Sequence, residues 1–308
     1  MSIIRIEDIA YVRFSAPDLD AMEEFLNEFG MVKAHRDGET LFMRGTGPAP
    51  FVHVTHLGEA GFRGLGFRAE SVADLEKLAT AEGVSVAASD APGGGKIVTL
   101  ADPDGFRVDV IAGDTPVAEL ATPSREAVNT GRETPRTNLV KRVKAGPAHV
   151  KRLGHGVLNV TDFRRSEAWY KERFGFITSD EIAIEGFPDS IGAFLRCDRG
   201  DQPTDHHTLF LMGLGTPKFN HAAFEVADLD DLMAGNQHLK DKGRAHEWGV
   251  GRHILGSQIF DYWRDPWGHA VEHWTDGDRV NAGFGSNKVG IEELLGTQWG
   301  PAAPPTMG

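Results

Sequence analysis

The chain repeats itself, and that narrows its possible folds more than any single motif does. Four stretches of about 50 residues share one order of strand, helix and three short strands, and each such unit has an apolar face that only a neighbouring unit can cover. Ile9 to Val54 opens with the strand IAYVRFSA and a helix begun by Asp18. Gly64 to Ile111 follows with LGFRAES, the helix VADLEKLATAEG, a Gly-rich turn and the hairpin KIVTLADPDGFRVDVI. His155 to Met212 and Asn220 to Trp274 give the third and fourth copies, with strands HGVLNV and HAAFEVAD. The expected fold is α+β: four tandem β-α-β-β-β units in two pairs, each pair forming a domain round a cupped mixed sheet. Residues 1–113 make the first domain. Residues 114–148, polar and carrying Pro116, Pro123, Pro135 and Pro147, read as a linker; residues 149–284 make the second domain, and 285–308 a tail without its own core.

The two halves differ chemically. Ten of 13 histidines lie from His149 onward, as do all six tryptophans. The stretch Gly251 to Trp274 carries two strand-like runs, Ser257 to Arg264 and His269 to Trp274, joined by Asp265-Pro266-Trp267-Gly268. Proline suits the second position of a type I turn and glycine the left-handed residue after it, so the run reads as a hairpin with a glycine bulge. Counting back from an Asp265–His269 pair sets Tyr262 opposite Glu272, on one face, with His253 nine residues before the tyrosine. His155 and His221 each open the first strand of a unit, and Glu272 sits in the last strand of the final one. If the units pair round one concave sheet these three converge. Two imidazoles and a carboxylate suit ferrous iron and leave positions open, with manganese accepted by the same donors. A closed zinc site, which favours four ligands rich in cysteine, does not fit a chain whose only cysteine is Cys197.

Composition excludes other classes. A net charge of −13, without a clustered basic footprint, argues against a nucleic-acid partner. No run of about 18 apolar residues could span a bilayer, and the start MSIIRIEDIAYVRF lacks the apolar region of a signal peptide. One cysteine allows no intrachain disulfide, so a cytoplasmic location is expected.

The chain resembles the extradiol ring-cleaving dioxygenases of the vicinal oxygen chelate superfamily, of the catechol 2,3-dioxygenase and dihydroxybiphenyl dioxygenase type. The likeness covers both halves and is carried by LGHGVLNV, the HHT triplet at His206 to Thr208, FNHAAFEV, the GRH at Gly251 to His253, and YWRDPWGHAVE. It implies His155, His221 and Glu272 as iron ligands, and His207 as the acid/base residue toward dioxygen, with adjacent His206 as the alternative. It also implies His253 and Tyr262 as groups touching the substrate hydroxyls. Catechol and dioxygen are the implied partners, and relatives are homo-oligomers. The same fold is shared by glyoxalase-type isomerases and by non-catalytic binding proteins, so the fold alone does not fix the function.

Two further expectations follow. Relatives that take a carboxylate-bearing catechol clamp it with arginine near the GRH motif and in the tail, whereas here Glu247, Trp248 and Gly249 precede Gly251 and no arginine follows Arg279. An uncharged alkyl- or aryl-substituted catechol is therefore expected, with Trp248 and Phe194 among the candidate pocket residues. Aligning the halves sets Tyr11, or Ala10, where His155 stands, Gly64 where His221 stands, Asp109 where Glu272 stands and Thr99 where Tyr262 stands. The first half should then hold no metal, and Asp109 should be dispensable for iron and activity.

Overall fold

The computed structural model describes residues 2–123 and 127–307. Unit one comprises β1 (Ile6–Ala16), α1 (Leu19–Glu28), β2 (Val32–Arg36), β3 (Thr40–Arg44) and β4 (His53–Leu57). Unit two comprises β5 (Gly61–Ala69), α2 (Val72–Glu82), β6 (Ala87–Ala88), β7 (Lys96–Ala101) and β8 (Arg107–Ala112). In unit three, β9 (Arg152–Val160), α3 (Phe163–Phe174), β10 (Ile177–Ala183) and β11 (Gly192–Arg196) precede a two-residue strand, β12 (Thr204–Asp205), and then β13 (Leu209–Gly213). Unit four has β14 (Lys218–Glu225), α4 (Leu229–Asp241), β15 (Ala245–His253), β16 (Ile259–Arg264) and β17 (Ala270–Thr275). The chain closes with β18 (Arg279–Val280), β19 (Asn287–Gly290), α5 (Ile291–Leu295), β20 (Thr297–Trp299) and a short 3-10 turn.

Each unit turns from strand to helix by the same local chemistry. Asp18, Ser71, Asp162 and Asp228 follow the first strands with extended backbone, and each side chain accepts from a backbone N–H of the first helical turn. Such a cap is worth about 1 kcal/mol and fixes where the helix begins. Four capped helices at one repeat spacing are why the unit is legible before any tertiary contact is known.

The units pair as expected. An eight-stranded mixed sheet runs β2-β3-β4-β1-β5-β8-β7-β6, and a ten-stranded one runs β19-β10-β11-β13-β9-β14-β17-β16-β15-β20. In each, the first strands of two units lie antiparallel at the centre, β1 on β5 and β9 on β14. The two halves share one continuous apolar core. Phe67 of β5 packs on Tyr170, Phe174 and Phe176, Phe14 meets Phe219 edge-on, and Phe29 packs against Phe224 and His273. At about 1.5–3 kcal/mol for each buried phenylalanine, these contacts hold the halves as one body.

Two segments pack on the domains in ways that local sequence does not show. Residues 114–148 have no helix or strand among those described, yet they are tied to both halves, with Val117 and Leu120 donating to Pro48 and Thr46 of the first and Lys141 pairing with Asp230 of α4 in the second. The tail, read as having no core of its own, is added to the second sheet: β19 pairs with β10 and β20 with β15, bringing Leu294 and Leu295 over the concave face. Its backbone groups are satisfied by edges the sheet would otherwise leave open.

Candidate metal centre

Register on the central strands explains the site. His155 and His221 do not open their strands; each is the fourth residue, in β9 and β14. Ala223 lies opposite His155 across one ladder and opposite Glu272 of β17 across the other. His221, two residues from Ala223, therefore shares its face, and so do His155 and Glu272. The hairpin has the expected register, with Tyr262 of β16 opposite Glu272, Asp265 donating its N–H to the His269 carbonyl, and Gly268 left-handed at φ 87°. Trp248 of β15 stands opposite Tyr262 and stacks on it.

At the floor of this face, one oxygen of Glu272 lies 3.4 Å from His155 Nε2 and 3.4 Å from His221 Nε2, and the three donor atoms lie within 4.8 Å of one another. Glu272 is 0 % exposed, and neither of its oxygens has a hydrogen-bond partner among the described residues. A buried carboxylate left so would cost several kcal/mol, and the arrangement makes physical sense with a cation between the donors. Burial, with His155 beside it, holds the His221 ring well below the usual histidine range, so this imidazole is ready to act as a lone-pair donor. Its Nδ1 lies 2.8 Å from the Asn220 side-chain oxygen, which accepts Nδ1–H and leaves Nε2 free to ligate. Gly154, beside His155, admits the Trp274 indole; a Cβ there would fall 2.5 Å from that ring.

The other predicted residues surround this floor. His207 packs against His155 with ring centroids 4.1 Å apart, and burial followed by the neighbouring imidazoles depresses its basicity strongly. His206 and His207 stand in the bend before β13, not on a strand, and their side chains part: His207 lines the cavity, while His206 turns to Asp180 at 2.8 Å. His253 Nε2 lies 3.0 Å from Tyr262 Oη and 3.9 Å from the other Glu272 oxygen. Burial lowers the His253 ring to about 4 against the pull of Glu272, and burial together with that carboxylate pushes the Tyr262 phenol up. The cavity above is walled by Val157, Phe194, Phe210, Met212, Trp248 and Leu294. Sequence reading missed Asn220 and Leu294; the first was adjacent to His221 and could have been found, the second depends on where the tail folds.

The first half fills the equivalent place differently. Gly66 lies opposite both Tyr11 and Asp109, so Tyr11, not Ala10, matches His155, Gly64 matches His221, and Asp109 pairs with Thr99 as expected. Asp109, however, is satisfied by Tyr11 Oη at 2.8 Å, Thr99 Oγ1 at 2.7 Å, and the Arg13 and Arg107 guanidinium groups at 3.0 and 2.8 Å. Side-chain cations neutralise it. Asp109→Ala should thus leave metal content at one per chain but, by stripping the buried partners of their acceptor, cost about 3–5 kcal/mol in a denaturant titration. A second metal per chain, lost with Asp109, would contradict this. Asp109 is thus expected to be dispensable for iron and activity while its hydrogen bonds and ion pairs hold the first half together.

With this geometry in hand, the relatives can be placed. Residues 152–273 match the Glyoxalase/Bleomycin resistance protein/Dioxygenase superfamily. They form a domain of that superfamily. Metapyrocatechase 2 of Cupriavidus necator is 28 % identical over 97 % of this chain and 90 % of its own length. Biphenyl-2,3-diol 1,2-dioxygenase of Paraburkholderia xenovorans is 28 % identical over 87 % of each, and an iron-dependent extradiol dioxygenase of Rhodococcus jostii 26 % identical over 89 % and 91 %. The likeness of fold extends over both halves: the Mn(II)-bound glyoxalase of Novosphingobium aromaticivorans superposes with a TM-score of 0.79 at 23 % identity, covering 99 % of this chain and 94 % of that one.

Proposed function

We propose that the protein is an extradiol dioxygenase, opening the ring of an uncharged, alkyl- or aryl-substituted catechol with dioxygen at a single ferrous centre held by His155, His221 and Glu272. The observation that carries this is the buried Glu272 carboxylate, without hydrogen bonds and facing two Nε2 atoms, at the floor of an apolar cavity that also holds His207, His253 and Tyr262. A bound ferrous ion would favour loss of the catechol protons and couple electron donation from the ring to dioxygen, and manganese fits the same donors. Tyr262 and His253, already hydrogen-bonded to each other, orient the substrate hydroxyls. His207 accepts a proton and returns it as oxygen is reduced, a task suited to a neutral imidazole at the cavity wall. The apolar walls keep bulk water from the reacting groups. We also read the protein as a cytoplasmic homo-oligomer; its one cysteine, Cys197, is buried and free, and no helix among the described residues is long and apolar enough to cross a membrane.

Anaerobic loading with ferrous iron, then a catechol in air, should give a yellow ring-opened product with matching oxygen uptake. Binding without oxygen uptake would overturn the reading. Among the described residues the cavity lining contains no lysine or arginine, and a carboxylate brought into it would be buried without a cationic side chain beside it. The specificity constant for 3-methylcatechol or 2,3-dihydroxybiphenyl should therefore exceed that for protocatechuate or homoprotocatechuate by at least about tenfold, or ~1.4 kcal/mol. The reverse order would remove the uncharged-substrate assignment while leaving the ring cleavage standing.

A further inference from the structure

Behind His207 a chain of polar groups passes out of the cavity. His207 Nδ1 lies 3.1 Å from His206 Nδ1, and His206 Nε2 lies 2.8 Å from Asp180 Oδ2. The other Asp180 oxygen accepts from Asn287 Nδ2 at 3.0 Å. The bend carrying both histidines is fixed by its main chain, with the His206 N–H donating to the Asp278 carbonyl and the Ser179 hydroxyl donating to the His206 carbonyl. Asp180, His206 and Asn287 line a separate surface cleft with Asp278, Arg279 and Phe284. The chain therefore joins the cavity to a second face open to solvent. Apart from His207, the ionisable groups about His206 are Asp180 on β10, and Asp278 and Arg279 across the cleft.

We propose that Asp180 and His206 are positioning residues forming a proton relay, which fixes the tautomer of His207 and takes up its proton during turnover; the turnover part rests on the dioxygenase reading. An ionised carboxylate only accepts, so the proton of the Asp180–His206 bond belongs to His206 Nε2. With His206 neutral at the start of the cycle, its lone pair lies at Nδ1, the proton between the rings belongs to His207 Nδ1, and His207 presents an unprotonated Nε2 to the cavity. His207 thus begins as a base. When its Nε2 gains a proton, its Nδ1 proton passes to His206 Nδ1, so one proton enters and one is handed on. The positive charge rests on His206 beside the Asp180 carboxylate, and His207 remains neutral with Nε2–H ready to donate. Running the shift backwards returns the proton without any proton crossing the cavity mouth.

Asp180→Asn tests this, because its amide reverses the chain. Asn287 still donates to one side, where the amide oxygen must lie, so the amide NH2 faces His206 Nε2. His206 must then accept there and carry Nδ1–H, driving His207 to the Nε2–H tautomer. Long-range proton–nitrogen NMR on histidine-labelled, metal-free protein should show His207 as Nδ1–H in the wild type and as Nε2–H in Asp180→Asn. Asp180→Glu, which keeps the carboxylate, should retain Nδ1–H. In the iron-loaded protein Asp180→Asn should lower kcat roughly 10- to 100-fold, with iron content and the KM for catechol within about twofold of wild type. Wild-type His207 found as Nε2–H would overturn the proposal even if the variant did not fold. So would an unchanged tautomer in a folded Asp180→Asn protein, and an unchanged kcat would overturn the role in turnover. A wild-type protein that shows the expected tautomers but does not cleave catechols would leave the relay standing and remove the dioxygenase reading.

Discussion

Replacing Glu272 by alanine is expected to abolish iron binding and ring cleavage together, while leaving the metal-free fold at least as stable as before. The two halves of this result have one cause. In the structure the carboxylate is fully buried and makes no hydrogen bond to the described residues, and burial holds the His221 ring beside it well below the usual histidine range, so His221 does not offset the charge. A charge buried that way destabilises the metal-free protein, and removing it relieves the strain. With iron present the sign reverses, because the carboxylate supplies the only formal negative charge among the three donors. A ligand at a hundred times its dissociation constant stabilises a fold by about 2.7 kcal/mol, and that increment should be seen for wild type and vanish in the variant. Thermal melts with and without ferrous iron, and metal analysis after desalting, measure both. Were Glu272 instead half of an ordinary buried ion pair with a protonated histidine, its removal would cost about 3–5 kcal/mol in the metal-free state. That loss, or retention of stoichiometric iron, would sink the assignment. Asp109, at the matching position of the first half, is the internal control, since its guanidinium partners make it the ion pair that Glu272 is not.

The contrast between these two carboxylates shows what a sequence of this kind carries and what it withholds. Strand periodicity, capping aspartates and the Asp-Pro-Trp-Gly turn act over a few residues, so the four units and the Tyr262–Glu272 register could be counted from local rules alone. Convergence of His155 and His221 was legible because the repeat carries register from one unit to the next; their depth in the strand was not, since the strands begin three residues earlier than the apolar pattern suggests. Long-range pairing left no local trace. Nothing near Asp109 in sequence marks Tyr11 and Arg13, nearly a hundred residues away, as its partners. The tail offered still less, because α5 has no buried residue and so no amphipathic stripe to read. Its place over the cavity follows from the open edges of β10 and β15, a property of the finished sheet.

Replacing His207 by phenylalanine should leave iron content and anaerobic catechol binding nearly intact and slow ring cleavage by about two to four orders of magnitude. The side chain stands against the His155 ring at 4.1 Å and edge-on to Phe194 at 4.7 Å, surroundings that accept a phenyl ring of similar shape without opening the cavity. What the substitution removes is the nitrogen that takes and returns a proton, so the loss should fall on kcat and spare the KM, provided substrate dissociates faster than it reacts. A titration of the iron-loaded variant with catechol in the absence of air separates binding from chemistry. Wild-type turnover in His207→Phe would end the acid/base assignment, and loss of iron or of catechol binding would mean that the residue serves the site's architecture instead. The size of the effect also bears on the relay. In the relay Asp180 and His206 reach the reaction through His207, so Asp180→Asn should slow cleavage less than His207→Phe does. For the same reason, adding Asp180→Asn to His207→Phe should cost nothing more, because groups that act as one unit are strongly non-additive. A double variant slower by the product of the two single effects would show that Asp180 reaches the reaction by another path.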